Sequence, residues 1–340
     1  AGGGPVEGAL VAVKKPGGGT VVTYRSDAAG QFQGGLPTGE DAVGKMFGEG
    51  RYEVWVDKKG YHANGTARAG NCEPAQIDLS AGAPALVTCL LGQSGKVQLG
   101  GVVDAETGLK IPARLTIVGE DPSPETKGTG TFSDIDIFKR PFGIVDSVLI
   151  NAMGGIGLSA DNSFDLEPGT YLLVFSHGLE YSIVEREVTV APGETVSLEE
   201  ISLGRVVETP GFVSAAFHIH ALPSPDSAFS VARRALAAAA DGLDVLHSSD
   251  HDFLTDYGPV VIKLSEQGVL NFDTIQTIVG DEITPNHYGH LHAFPLTMDL
   301  NDPDHGALDW SNHPLDEISP ATDYVMSPSQ IVEAALADPG

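Results

Sequence analysis

The spacing of apolar residues in this chain changes at about residue 208, and that change limits which folds it can adopt. Up to about 207, β-branched residues alternate in short runs broken by Gly, Pro and Asp. Such runs predict antiparallel strands with one face buried. A weak internal repeat runs through this stretch. Its first copy holds Val6-Glu7-Gly8-Ala9-Leu10-Val11-Ala12-Val13, Asp27-Ala28-Ala29-Gly30 and Gly50-Arg51-Tyr52-Glu53-Val54-Trp55-Val56. The second holds Gly101-Val102-Val103-Asp104, Ala113-Arg114-Leu115-Thr116-Ile117 and Pro168-Gly169-Thr170-Tyr171-Leu172-Leu173-Val174-Phe175. Pro-Gly before Tyr171 marks a turn feeding a strand, with proline presetting φ and glycine supplying the positive φ. A Gly- and Asp-rich insertion over 120–160 interrupts the second copy.

Beyond 208 the spacing predicts a strand at 213–220, a helix at 229–241, a strand at 243–249, a helix at 259–267 and a strand at 273–279. Ser327-Pro328-Ser329-Gln330 reads as a capping box with proline at the first helical position. Strand, helix, strand in repetition implies βα units around a parallel sheet or barrel. A barrel begun at 208 needs more strands than the remaining chain supplies, so a truncated last domain is expected.

The same stretch collects the metal-ligating residue types. Nine of the eleven histidines lie beyond 208, in His218-Ile219-His220, Asp250-His251, Asp281-Glu282 and His290-Leu291-His292 among others. Neutral imidazole and hard carboxylate oxygens together suit zinc, manganese or iron. His218 and His220, two apart on a predicted strand, leave it on one face. Asp226 follows in a Pro- and Ser-rich loop, and Glu282, after Gly280, is placed to bridge two cations. Taken singly, each group reads as a solvated loop residue, but four groups ending successive strands converge where βα folds build their sites. His247 is either a support for a ligand or a buried, satisfied core residue. His62, His177, His305 and His313 read as ordinary strand or surface residues.

Charge narrows the partners. The chain has 19 basic and 46 acidic residues for a net charge of −27, and from 208 onward three basic face twenty acidic. Such a surface repels phosphate backbones and anionic bilayers, which excludes nucleic-acid binding. No apolar run approaches the roughly 18 residues needed to cross a bilayer, which excludes membrane insertion. Cys72 and Cys89 flank a strand-like segment and are either a bridge suited to an oxidising compartment or two small buried thiols. The chain opens at Ala1 rather than Met, consistent with a removed leader and an extracellular or periplasmic location.

In pattern, 1–95 and more loosely 96–207 resemble carboxypeptidase regulatory-like β-sandwiches of the transthyretin or Ig kind. Phe217-His218-Ile219-His220, Ser224-Pro225-Asp226-Ser227, Ser249-Asp250-His251, Gly280-Asp281-Glu282 and Gly289-His290 occur in the order of motifs found in the polymerase and histidinol phosphatase (PHP) superfamily. Thr255-Asp256-Tyr257 and Gly178-Leu179-Glu180-Tyr181 are similar to its carbaryl-hydrolase-like CehA/McbA branch. The expected fold is therefore multidomain: two antiparallel β-sandwiches (1–95 and 96–207), then over 208–340 the first part of an α/β PHP-type distorted (βα) barrel. The resemblance implies two or three divalent transition-metal ions. His218 and His220 would hold one, Glu282 would bridge, and Asp226, His251 and His290 would complete the neighbouring positions; His292, where the resembled branch often carries a non-ligand polar residue, ranks below His290.

Two functions of different class follow. In the first, the chain is a metallohydrolase whose metal-bound hydroxide, with the pKa of its water lowered to roughly 7, attacks a carbamate, aryl ester or phosphoester. Its substrate is a small-molecule ester, and Asp250, His251 and Glu282 carry the catalysis, with Asp250 either orienting His251 or accepting a proton. In the second, the chain is a secreted β-sandwich binding protein, with carbohydrate or cell-surface contacts through its sandwiches and a degenerate, structural metal module. Calcium-dependent adhesion through the acidic loop over 299–309 is a third and weaker reading, because calcium prefers oxygen donors alone.

Overall fold

The structure, a computed structural model, describes residues 4–15, 20–36, 50–63, 72–74, 76–79, 84–121, 144–271, 275–285, 288–311 and 326–337. In chain order the first strands are β1 (Leu10–Lys14), β2 (Thr20–Arg25), β3 (Arg51–Asp57), β4 (Tyr61–Ala63), β5 (Cys72–Glu73), β6 (Gln76–Asp78), β7 (Thr88–Cys89), β8 (Leu91–Gln93) and β9 (Gly95–Gln98). There follow β10 (Val102–Asp104), β11 (Ala113–Asp121), β12 (Ile144–Ile150), β13 (Ser163–Leu166), β14 (Gly169–Ser176), β15 (Val184–Val190), β16 (Thr195–Ser197) and β17 (Ile201–Leu203). The last part holds β18 (Ala215–Ala216), α1 (Val231–Ala240), β19 (Val245–Ser248), α2 (Gly258–Glu266), β20 (Gln276–Val279), β21 (Asp281–Ile283), β22 (Leu291–Ala293) and α3 (Pro328–Ala337).

The chain divides into two compact units, one of Ala1–Gln98, Phe164–Thr170 and Val188–Ser197, the other of Leu99–Ser163, Tyr171–Glu187 and Leu198–Gly340. In the first unit the antiparallel sheet runs β2-β1-β3-β6. Its alternation sorts side chains as the period of two requires. Val11 and Val13 of β1 and Tyr52 and Val54 of β3 are buried in one core with Cys72 and Ile77. On the opposite face Lys14 Nζ lies 4.7 Å from the Trp55 ring centroid, a cation–π contact. Cys72 and Cys89 sit opposite each other on β5 and β7 and are joined by a disulfide. Of the two alternatives open from sequence, the structure has the bridge.

The second unit carries the sheet β12-β11-β14-β15 and the parallel pair β10-β17. Ala113, Leu115 and Ile117 of β11 and Tyr171, Leu173 and Phe175 of β14 point inward by the same alternation. Its last part is built on three short parallel strands in the order β18-β19-β20. Helices α1 and α2 cover them through a core that includes Leu236, Leu246, Tyr257, Val261, Leu264 and Leu270. Ser230 caps α1 by accepting from the Arg233 N–H, and Gly242 follows its end at φ +66°. At α3 the expected box forms: Ser327 N–H donates to Gln330 Oε1 at 2.8 Å, and Gln330 N–H returns to Ser327 Oγ at 3.4 Å.

Two expectations are corrected. The 213–220 segment is not a strand, since only Ala215–Ala216 pairs with β19. Beyond that point its backbone is tied to side chains instead of a ladder: Phe217 O accepts from two imidazoles, Ile219 N–H donates to Ser249 Oγ and Ala221 N–H to Asp250 Oδ1. The PHP-type (βα) barrel is corrected as well. Among the described residues the fold is mostly β with three short helices, the parallel sheet stops at three strands, and no barrel closes. Past β20 the chain runs on into β21, bridged in parallel to His251, and then reverses so that β22 pairs with β21 antiparallel, Glu282 opposite His292. No described helix is long and apolar enough to cross a membrane.

The disulfide joins residues 17 apart beside the first unit's core. Closing a loop of that size is worth about 3 kcal/mol. The variant Cys72→Ser with Cys89→Ser is expected to lose that amount in urea denaturation, and reductant to have no effect on the variant.

Candidate metal centre

Glu282 organises the site. It lies on β21 with 1% of its surface exposed, and a backbone bridge ties it to His251. A carboxylate taken from water needs compensating partners. Here its partners are histidines from three segments: His218 Nε2 at 3.1 Å and His220 Nε2 at 2.9 Å from Oε2, His290 Nδ1 at 2.6 Å from Oε1, and His251 and His292 each at 3.8 Å. Burial alone would raise its pKa. The His290 hydrogen bond, with the charge that His251, His218 and His220 carry whenever they are protonated, outweighs burial and holds it below the usual carboxylate range.

Asp226 completes the cluster from the loop side, half-exposed, 3.5 Å from His220 Nδ1 and 3.5 Å from His251 Nε2. Three overlapping sets have donor atoms within 4.8 Å of one another: His218, His220 and Glu282; His220, Asp226 and His251; His251, Glu282 and His290. Thus the structure brings together all six residues expected as ligands.

Hydrogen bonds set which nitrogens are free to bind metal. Ser224 Oγ donates to Asp226 Oδ1 and so accepts from His220 Nδ1–H, leaving the His220 Nε2 lone pair toward Glu282. Thr284 Oγ1 donates to Glu282 O and accepts from His251 Nδ1–H, leaving His251 Nε2 toward Asp226. A second partner that fixes tautomer and ring orientation is the usual support of a metal-binding imidazole. Burial depresses the pKa of His220, against the pull of Asp226 and Glu282, so its neutral, metal-binding form persists to lower pH.

Asp250 is not part of the cluster. It is fully buried, and its two oxygens accept from Ala221 N–H at 2.6 Å and from Tyr257 Oη at 3.1 Å. It holds the loop after His220 against α2, so the expected proton-transfer role has no geometry behind it. His247 is buried, with Nδ1 2.8 Å from Phe217 O. His305 lies elsewhere, donating to Leu254 O. His313 and the side chain of His62 lie outside the described residues, as does 122–143 of the insertion. His177 was read as ordinary but lines a cavity of about 270 Å³ with Tyr181, Glu180 and Arg205, its ring edge-on to Tyr181. A lone strand histidine gives no sequence signal for that placement. Sequence reasoning also missed Ser224 and Thr284, the hydroxyls that fix the imidazoles; neither belongs to a residue type that announces a metal site.

No family model and no curated protein matches the chain. Among solved structures it is similar to the TIE protein of Bacillus anthracis (17% identity over 58% of this chain and 31% of that one, TM-score 0.20). It is also similar to the shaft pilin SpaA of Lactobacillus rhamnosus GG (15% identity, 61% of this chain and 88% of that one, TM-score 0.26). The group B streptococcus pilus 2b backbone protein matches at 11% identity over 58% of this chain and 78% of that one, TM-score 0.22. The chain thus spans under a third of the TIE protein. These findings correct the expected membership of the PHP superfamily and its CehA/McbA branch. The enzymatic reading drawn from that membership is corrected with it, since no family model, of hydrolases or otherwise, matches the chain. Likeness this slight assigns no activity either, so function is read from the site.

Two outcomes test this geometry. Asp250→Ala leaves the buried Ala221 N–H without an acceptor and is expected to cost about 1–3 kcal/mol in chemical denaturation, with metal stoichiometry unchanged. Burial depresses the pKa of His177, so the unfolded chain takes up its proton first. Stability is therefore full above the unfolded value and falls as pH drops through it. Denaturation with chelator at about pH 7.5 and about pH 5 should show that fall, shallower in His177→Gln.

Proposed function

We propose that the chain is a secreted β-sandwich binding protein whose second unit carries a structural centre for divalent transition metal. The observation that supports this is the convergence of His218, His220 and His290 on one buried carboxylate, each within 3.1 Å of Glu282. One ion fits between His218 Nε2, His220 Nε2 and Glu282. A second fits on the side of His251 and His290, drawing on Asp226, with Glu282 shared. The nitrogen-rich donor set favours zinc or another late first-row ion over magnesium or calcium.

A structural role suits the surroundings. The segments that carry the ligands have strands of only two to four residues, and much of their backbone is held by side chains. Two ions sharing Glu282 would together cross-link 218–220, 251 and 282–290. The disulfide supports an oxidising, extracellular setting. The charge of −27 disfavours nucleic acid as partner.

The test is elemental analysis after dialysis, followed by thermal unfolding with and without chelator. Retained zinc, manganese or iron is expected, with a stabilisation of about 2.7 kcal/mol at a free-metal concentration of about 100 times Kd. His218→Ala with His220→Ala should remove most bound metal and the chelator effect. Protein that retains no metal, or a double variant with undiminished stoichiometry, would overturn the assignment.

A further inference from the structure

The geometry points to His292, ranked below His290 in the sequence, as a further metal ligand that joins His218, His220 and Glu282. This rests on the metal reading above and adds a donor to it. Three facts about the residue converge. Its Nδ1 lies 2.8 Å from Phe217 O; a carbonyl only accepts, so Nδ1 carries the proton and Nε2 the lone pair. That Nε2 lies 3.8 Å from Glu282 Oε1. Its ring stands edge-on to His218, centroids 4.5 Å apart.

This is the arrangement seen at His220 and His251: one ring nitrogen tied to an oxygen outside the cluster, the other turned toward a cluster carboxylate. At His220 and His251 the anchor is a hydroxyl, whereas at His292 it is backbone, which cannot rotate away. The anchor is itself fixed. Phe217 O also receives His247 Nδ1–H at 2.8 Å, and the Phe217 ring stacks on Phe294, centroids 5.0 Å apart. The placement of His292 follows from register, since it stands opposite Glu282 in the β21–β22 pair. Its side chain is 23% exposed against 62% for His218, so it is the better shielded of the two donors. The donors of His218, His220 and Glu282 already lie within 4.8 Å of one another, and closing His292 Nε2 onto them would give three imidazoles and a carboxylate, the tetrahedral set that zinc takes.

Cobalt(II) is the probe, because four-coordinate cobalt absorbs visible light far more strongly than six-coordinate cobalt. Titration of the metal-stripped full chain is expected to give the intense four-coordinate spectrum. His292→Ala should weaken cobalt binding about tenfold or more and reduce the intensity. His292→Gln retains an N–H for the Phe217 carbonyl but has no ring nitrogen, and it should behave like the alanine variant. A glutamine variant with wild-type spectrum and affinity would overturn the proposal, because His292 would then act only as a tether. Wild-type protein that takes up no cobalt would instead overturn the metal reading itself, so the two failures are distinguishable.

Discussion

A carboxylate buried at the junction of several segments is the constraint to which the second unit's last part is fitted. Glu282 exposes 1% of its surface, and removing such a charge from water is costly unless partners replace the hydration. The partners come from Phe217–His220, from His251 at the end of β19 and from the β22 hairpin, so no segment can settle without the others. Gly280 makes the approach feasible. A Cβ there would stand 2.0 Å from His247 Nε2 and 2.5 Å from Ala293 O, so a side chain would force the hairpin and the parallel sheet apart.

The same requirement explains why regular structure is sparse around the site. A strand would also put His218 and His220 on one face, but it would commit the Phe217 carbonyl to a ladder, whereas here that carbonyl accepts from His247 and His292. Residues 217–221 therefore leave the ladder after Ala216. Their N–H groups find Ser249 Oγ and Asp250 Oδ1 in place of a neighbouring strand. Buried backbone groups remain paired, as they must, but by polar side chains at the end of β19. Asp250 thus has a structural role: with Tyr257 it holds the chain after His220 in position.

How far the sequence disclosed this differs by element. Alternation in β1, β3, β11 and β14 made the sheets readable, because a half-buried strand displays its faces in its own pattern. The helices at 231–240 and 258–266 were legible from their apolar stripes and lie within two residues of the expected bounds. The strand at 213–220 was misread, since Val, Ala and Phe alternate there while the forces on the backbone come from Ser249, Asp250, His247 and His292, distant in sequence. The barrel was an extrapolation from two βα repeats; the reversal after β21 depends on the β21–β22 pairing, which short-range pattern does not encode. Gathering of the six ligand-type residues was legible in their order. The misassignment of Asp250 shows the limit: adjacency to His251 suggested shared chemistry, but neighbours on an extended segment face opposite sides.

The second unit contains two dense polar clusters, and their contrast explains why only one reads as a metal centre. Around Tyr181 the valences match. Asp104 accepts from Glu106 N–H, Thr107 N–H, the Thr107 hydroxyl and the Tyr181 hydroxyl, while Glu180 meets the Arg205 guanidinium and the Thr209 hydroxyl. Each oxygen of these two carboxylates has a donor. Around Glu282 the balance is reversed. His220, His251 and His292 have each committed their single N–H outward, so lone pairs face carboxylate oxygens across the cluster. The nearby cation, Arg234, is spent on His220 O, Ser227 Oγ and the Phe229 ring. Acceptors crowded on acceptors repel unless protons or a metal ion lie between them, and burial, which depresses the pKa of His220, disfavours a proton on that ring. A divalent ion relieves that repulsion without placing net positive charge on the rings.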